Sequence, residues 1–181
     1  MARKNRGHVY AGTYHVWRRT AGPIEMFRDD SDRSGFCNRL ARAIEKYAWI
    51  CHSFILMPTH FHLLLTVMDD VLQPGMRDSF GPYAQEFNRR WVRSGHLKAA
   101  PYGLRRIWDE ADLCGVVRYI ARNPVRDKLC ERPQDWRWSS YLGSAGYAKP
   151  FWFVDDRMAM GAFHEDRARA TRLLRVFVET S

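Results

Sequence analysis

From Gly7 to Arg18 polar and apolar side chains alternate and Val, Tyr, Thr and Trp are frequent, which predicts a first strand. A polar loop carrying Asp29, Asp30, Ser31 and Asp32 follows, and then Phe36, Leu40, Ile44 and Tyr47 recur at helical spacing. That spacing predicts a helix over 34–47. Trp49 to Met57 is a continuous apolar run, and Pro58-Thr59 separates it from a second run, His60 to Val67, so the two form a hairpin. After Asp69-Asp70, Pro74-Gly75 reads as a break, beyond which Tyr83, Phe87 and Trp91 mark a second helix with Arg89, Arg90 and Arg93 on its other face. Residues 94–100 read as loop and 102–108 as a short strand. Asp109 caps a third helix that runs to Asn123, where Pro124 is expected to stop it. The aromatic cluster Trp136, Trp138 and Tyr141, a turn region rich in Gly and Pro, and a last helix near 163–178 complete the chain.

This order, β-α-β-β-α-β and then a further helix, is the α+β ferredoxin-like arrangement: an antiparallel sheet with helices on one face. The third helix and a C-terminal helical extension are added to it. Two units are expected, a main domain over 1–133 and an extension over 134–181 packed on or beside it.

Composition narrows the class. The 181 residues are 46% hydrophobic and 14% aromatic, enough for a folded core. Against 20 acidic residues stand 29 basic ones, a formal charge of +9 that favours an anionic partner, nucleic acid first and a membrane surface second. Arginine dominates the excess, and it pairs bidentately with phosphate and stacks on bases. No run reaches the length of a membrane span, and the basic start lacks the apolar core of a secretory signal. Cys37, Cys51, Cys114 and Cys130 have neither zinc-site nor disulfide spacing. A reduced cytoplasmic location without membrane association is therefore expected.

The candidate chemistry lies in two clusters. In a strand, His60 and His62 point to one side with Cα atoms about 6.6 Å apart, near enough to share a divalent ion. Phe61, Leu63 and Leu65 then face the core. Alone, such a pair is more often a buried, hydrogen-bonded feature than a ligand set. Downstream, Leu113, Val116, Val117 and Ile120 form the apolar stripe of the third helix, and Tyr119 and Asn123 lie one turn apart along its edge. Arg118, Arg122 and Arg126 gather phosphate-binding charge around them.

Together, the stretches Leu56-Met57-Pro58-Thr59-His60-Phe61-His62-Leu63-Leu64-Leu65 and Tyr119-Ile120-Ala121-Arg122-Asn123-Pro124-Val125-Arg126 resemble the REP-associated tyrosine transposases. These belong to the histidine–hydrophobic–histidine single-strand transposases and nickases. Tyr14-His15-Val16, the Tyr83 to Arg90 segment, Ser94-Gly95-His96-Leu97 and Trp136-Arg137-Trp138-Ser139-Ser140-Tyr141 extend the resemblance over about residues 7–142. One departure stands out: after Leu97 the family continues with an aromatic residue and Gly-Arg-Tyr or Gly-Arg-Phe, whereas this chain has Lys98-Ala99-Ala100-Pro101-Tyr102.

The resemblance implies a metal-dependent single-stranded DNA endonuclease and strand transferase acting at REP-type hairpins. It implies Tyr119 as nucleophile and His60, His62 and Asn123 as ligands of Mg²⁺ or Mn²⁺. Attack leaves a 5′-phosphotyrosine link and frees a 3′-OH. An ordinary phenol is ionised to only about one part in a thousand at neutral pH, so a nucleophilic tyrosine needs a neighbouring cation. Because imidazole does not favour hard Mg²⁺, Mn²⁺ should support activity at least as well. The partner is single-stranded or hairpin DNA, tracked by Arg89, Arg90, Arg93, Arg105, Arg106, Arg118, Arg122 and Arg126, with Trp136 and Trp138 either stacking on bases or serving the core. The working unit is expected to be a monomer, a dimer being the alternative within the superfamily. A catalytically silent hairpin DNA- or RNA-binding protein and a water-using hydrolase are the rival readings.

Overall fold

A computed structural model describes residues 8–22, 24–92, 97 and 100–180. Four strands, β1 (Gly12–Arg19), β2 (Ile50–Leu56), β3 (His60–Val67) and β4 (Gly103–Arg106), form one sheet in the order β2-β3-β1-β4. Every pairing is antiparallel. With α1 (Asp30–Lys46) and α2 (Leu72–Arg90) between them, the strands make the βαββαβ unit expected from the patterning. After it come α3 (Glu110–Arg126), a short 3₁₀ turn (Pro133–Asp135), α4 (Tyr141–Ser144), α5 (Arg157–Gly161) and α6 (Arg167–Glu179). No described helix is long and apolar enough to cross a membrane.

The period-2 alternation of β3 sorts the two cores. Phe61, Leu63 and Leu65 face α1 and α2, and join Val16, Phe36, Leu40, Phe54, Phe80 and Phe87 in one buried cluster. On the other face Leu64, with Ile55 and Met57, packs under Leu113, Val116, Val117 and Ile120 of α3. Full burial of each large side chain is worth about 1.5–3 kcal/mol. The central strands therefore read as nearly continuous apolar runs because both faces are covered. The chain beyond Pro133 reaches both layers: Trp138 and Phe153 belong to the first cluster, and Tyr141, Met160, Ala170, Leu174 and Val178 to the second.

β1 begins later than the patterning suggests, at Gly12, and α6 at Arg167, and three further helix boundaries differ for reasons the structure shows. The acidic loop before α1 is part of that helix: Asp29 is its N-cap and accepts from the Asp32 amide, so the helix begins at Asp30. Arg90, at the end of α2, grips both Asp29 (2.5 Å) and Asp32 (2.6 Å), which ties the two helices together. That ion pair holds the Asp29 carboxyl down at about 2.

Pro74-Gly75 does not break the chain either, because α2 already starts at Leu72. Pro74 sits in the first turn, where its missing N–H costs no helical bond. A Cβ on Gly75 would overlap the Trp49 indole, so glycine is there to let the ring lie against the helix backbone.

Pro124 likewise fails to end α3, which continues to Arg126. Termination comes two residues later, at Lys128 with φ +57°. The Lys128 amide donates to the Val125 carbonyl and the Leu129 amide to the Pro124 carbonyl, the 5→2 and 6→1 pair of a Schellman motif. The extra turn keeps Asn123 inside the helix, fully buried.

Candidate active site

The sheet places His60 and His62 on the face that α3 only half covers. Their rings stand 5.1 Å apart between centroids, nearly perpendicular, and both residues are buried. From α3, Tyr119 and Asn123 descend on them one helical turn apart. The Asn123 Oδ1 accepts from the His60 Nε2–H at 2.9 Å. The Tyr119 ring stands edge-on to His62 with a centroid separation of 5.2 Å and remains 38% exposed. The four residues that the sequence singled out, taken from a strand and a helix some 60 positions apart, are thus brought into one cluster.

A third imidazole completes it. His15 of β1 lies 2.9 Å from His62, Nε2 to Nδ1, and its ring meets Tyr119 at 5.7 Å. This residue was visible only as part of the Tyr14-His15-Val16 run, with no local signal of its partner 47 positions away. Burial pushes all three imidazoles towards the neutral form. His62 is pushed down to about 2, by burial first and then by the charges of His15 and His60, and His15 to about 4. His60 is also lowered by burial, against the opposing hydrogen bond to Asn123. Neutral imidazoles are the form that binds metals.

Whether this set suits a divalent ion turns on its donors. Among the described residues, no group of three or more His, Cys, Asp or Glu side chains is arranged to hold a metal. A metal here would depend on the amide of Asn123 beside two imidazoles. Two features fit that role. His60 Nε2 and Asn123 Oδ1 already converge, and with Asn123 fully buried and its Nδ2 unpaired among the described residues, Oδ1 is the one polar atom of the amide that is engaged, on the side of the imidazoles. With Nδ1 of His62 engaged by His15, its Nε2 is the nitrogen left to ligate. Asp127, whose carboxylate lies 4.0 Å from His60 Nε2, adds negative charge nearby and was not anticipated.

A cleft of about 340 Å³ opens over the cluster, lined by His15, Trp17, Arg19, His60, His62, Arg105 and Tyr119. Trp17 and Arg19 were not anticipated either, although strand alternation puts them on the face of His15. The arginines divide in use. Arg105 lines the cleft and pairs with Asp112 at 2.7 Å, and Arg126 sits 4.7 Å from the Tyr119 ring, its guanidinium pushed up by interaction with the phenol. Arg118 and Arg122 instead turn to the end of α6, donating to the carbonyls of Thr180 and Val178. Arg106 lies over Trp108 and bonds the Ala11 carbonyl, Arg90 clamps α1 to α2, and Arg89 is exposed at the end of α2. Arg93 lies outside the described residues, as do Ser94, Gly95, His96, Lys98 and Ala99.

The two tryptophans are engaged by the fold. Trp138 is buried with its indole N–H on Asp30, and Trp136 is half-buried with its N–H on the Leu56 carbonyl.

No protein-family model matches the chain, and no curated protein does. Among solved structures, a REP-associated tyrosine transposase bound to a REP hairpin superposes with a TM-score of 0.65 at 17% identity, covering 86% of this chain and 93% of that one. A candidate transposase from Deinococcus radiodurans R1 aligns with a TM-score of 0.44 at 20% identity, over 66% of this chain and 95% of that one. The chain carries the fold of a REP-associated tyrosine transposase.

Proposed function

We propose that the protein is a metal-dependent transesterase that cuts and rejoins single-stranded DNA beside REP-type hairpins through Tyr119. The observation that carries this reading is the meeting of the Tyr119 phenol, the His60–Asn123 pair and His62 in one open cleft. The overall charge of +9 suits a phosphodiester substrate, and the solved neighbour of the same fold was bound to a REP hairpin.

His60 through Nε2, with its proton moved to Nδ1 beside Thr59 Oγ1, His62 through Nε2 and Asn123 through Oδ1 would hold Mg²⁺ or Mn²⁺ in place of the His60–Asn123 hydrogen bond. When bound, the ion supplies Lewis-acid polarisation of the scissile phosphate. Arg126, whose guanidinium lies 4.7 Å from the Tyr119 ring, puts positive charge beside the nucleophile, and Arg105 and Arg19 offer charge to the flanking phosphates. The phenol gives up its proton to solvent as its oxygen bonds to phosphorus, the bond from phosphorus to the 3′ oxygen breaks, and that oxygen takes up a proton from solvent, so protons balance. The strand is then held as a 5′-phosphotyrosine, and attack by another 3′-OH reverses the step. No ATP is needed, since one phosphodiester is exchanged for another. Because phenol and imidazoles come together within one chain, the arrangement supports a monomer as the working unit.

The test uses a labelled hairpin with single-stranded flanks and Mn²⁺. A denaturation-resistant protein–DNA adduct that is lost in Tyr119→Phe and in His60→Ala is expected. Tight binding without an adduct would favour a silent binding protein, and cleavage that survives Tyr119→Phe would favour attack by water.

A further inference from the structure

The sheet face that carries the histidines is covered unequally. Helix α3 packs on the β2–β3 half through Ile55, Met57 and Leu64, whereas the β1–β4 half forms part of the floor of the cleft. Side chains on that floor follow the strand register: Arg19 is paired with His60, Trp17 with His62 on β3 and with Gly103 on β4, and His15 with Arg105. Trp17 is therefore the cross-strand partner of His62, their backbones about 5 Å apart in the sheet.

Gly103 gives this indole its place. A Cβ there would lie 2.7 Å from Trp17 Nε1 and closer still to Cε2 and Cζ2, so any other residue on β4 would displace the ring. Its second neighbour is His15, with centroids 5.0 Å apart. The ring is thus laid on the backbone of the edge strand, half-buried, yet it still lines the cleft beside Arg19 and Arg105. An indole that shares a cleft with two guanidinium groups has the chemistry of a single-strand stacking platform: cations for phosphates, a flat apolar ring for a base.

We propose that Trp17, seated on Gly103, is the platform on which a base of the bound strand stacks next to the scissile phosphate. The inference rests on the reading of the cleft as a phosphodiester site. It assigns to β1 a base-holding role that complements the phosphate-holding role of the imidazoles. Stacking of this kind is sequence-tolerant, so the platform would position any nucleotide and leave sequence choice to other contacts.

Binding in the presence of chelator, which prevents cleavage, tests it. Fluorescence anisotropy would compare a labelled oligothymidylate with an abasic strand of equal length, for the unaltered protein and for Trp17→Phe and Trp17→Leu. Both replacements fill the space over Gly103, but only Phe offers a ring. The oligothymidylate should bind the unaltered protein and Trp17→Phe in preference to the abasic strand. Trp17→Leu should lose about 5- to 100-fold on the oligothymidylate alone, as expected for one stacked base. Equal weakening of both strands in Trp17→Leu would make the indole a structural cover for Gly103 and overturn the proposal, as would no change on either strand. If neither strand bound the unaltered protein at all, the phosphodiester reading of the cleft would itself fail, a result distinct from a missing base preference.

Discussion

His15 Nε2 lies 2.9 Å from His62 Nδ1, a bond between two buried rings on neighbouring strands. For His62 to offer the lone pair of Nε2, its Nδ1 must carry the proton and donate it to His15. The bond therefore sets both the tautomer and the tilt of the ring beside Tyr119.

Removing the acceptor while keeping the ring shape, as in His15→Phe, should weaken Mn²⁺ binding about 10- to 100-fold. Calorimetric titration of the folded variant measures this without any DNA present. An unchanged affinity would mean that His62 needs no such partner.

The same buried rings make stability depend on pH. In the unfolded chain these imidazoles take up protons near the ordinary value of 6.5, but in the folded protein only near 4 for His15 and near 2 for His62. Below about pH 6.5 the unfolded chain thus binds more protons, so stability is complete above that pH and falls steadily towards pH 4. Urea denaturation in chelator should show this decline, and it should flatten in a His15→Gln, His62→Gln double variant. An identical slope in that variant would contradict the assignment.

Gly75 offers a test away from the site. Alanine is the better helix former by about 1 kcal/mol, but its methyl group must displace the Trp49 indole from a filled core, which costs about 1–3 kcal/mol. The steric term should win, and Gly75→Ala should lower stability in urea denaturation. A stabilised variant would mean that the ring can move aside at little cost.

Much of the fold was legible because its signals are local. The alternation of His60 to Val67 marks β3 and both of its faces, and Asp109 announces the cap of α3 as the structure has it. Two of the misplaced helix boundaries come from reading Pro74, Gly75 and Pro124 as breakers where the helix tolerates each. Pro74 meets no demand for its N–H, Gly75 answers to Trp49, and α3 is ended by Lys128 in a left-handed conformation that no glycine advertises. The candidate site was legible where spacing carries it, at His60 and His62 and at Tyr119 and Asn123. It was illegible where only register does, at His15, Trp17 and Arg19. Charge was the least informative signal, since a sequence cannot show that Arg118 and Arg122 spend their donors on carbonyls at the end of α6.

The central claim is that a single ion is gripped by the paired imidazoles and the buried amide, facing the phenol. A crystal soaked in Mn²⁺ tests it most directly through anomalous scattering. One peak within bonding distance of His60, His62 and Asn123 Oδ1, on the side of Tyr119, is the predicted result. A peak elsewhere, or none at saturating Mn²⁺, would contradict it.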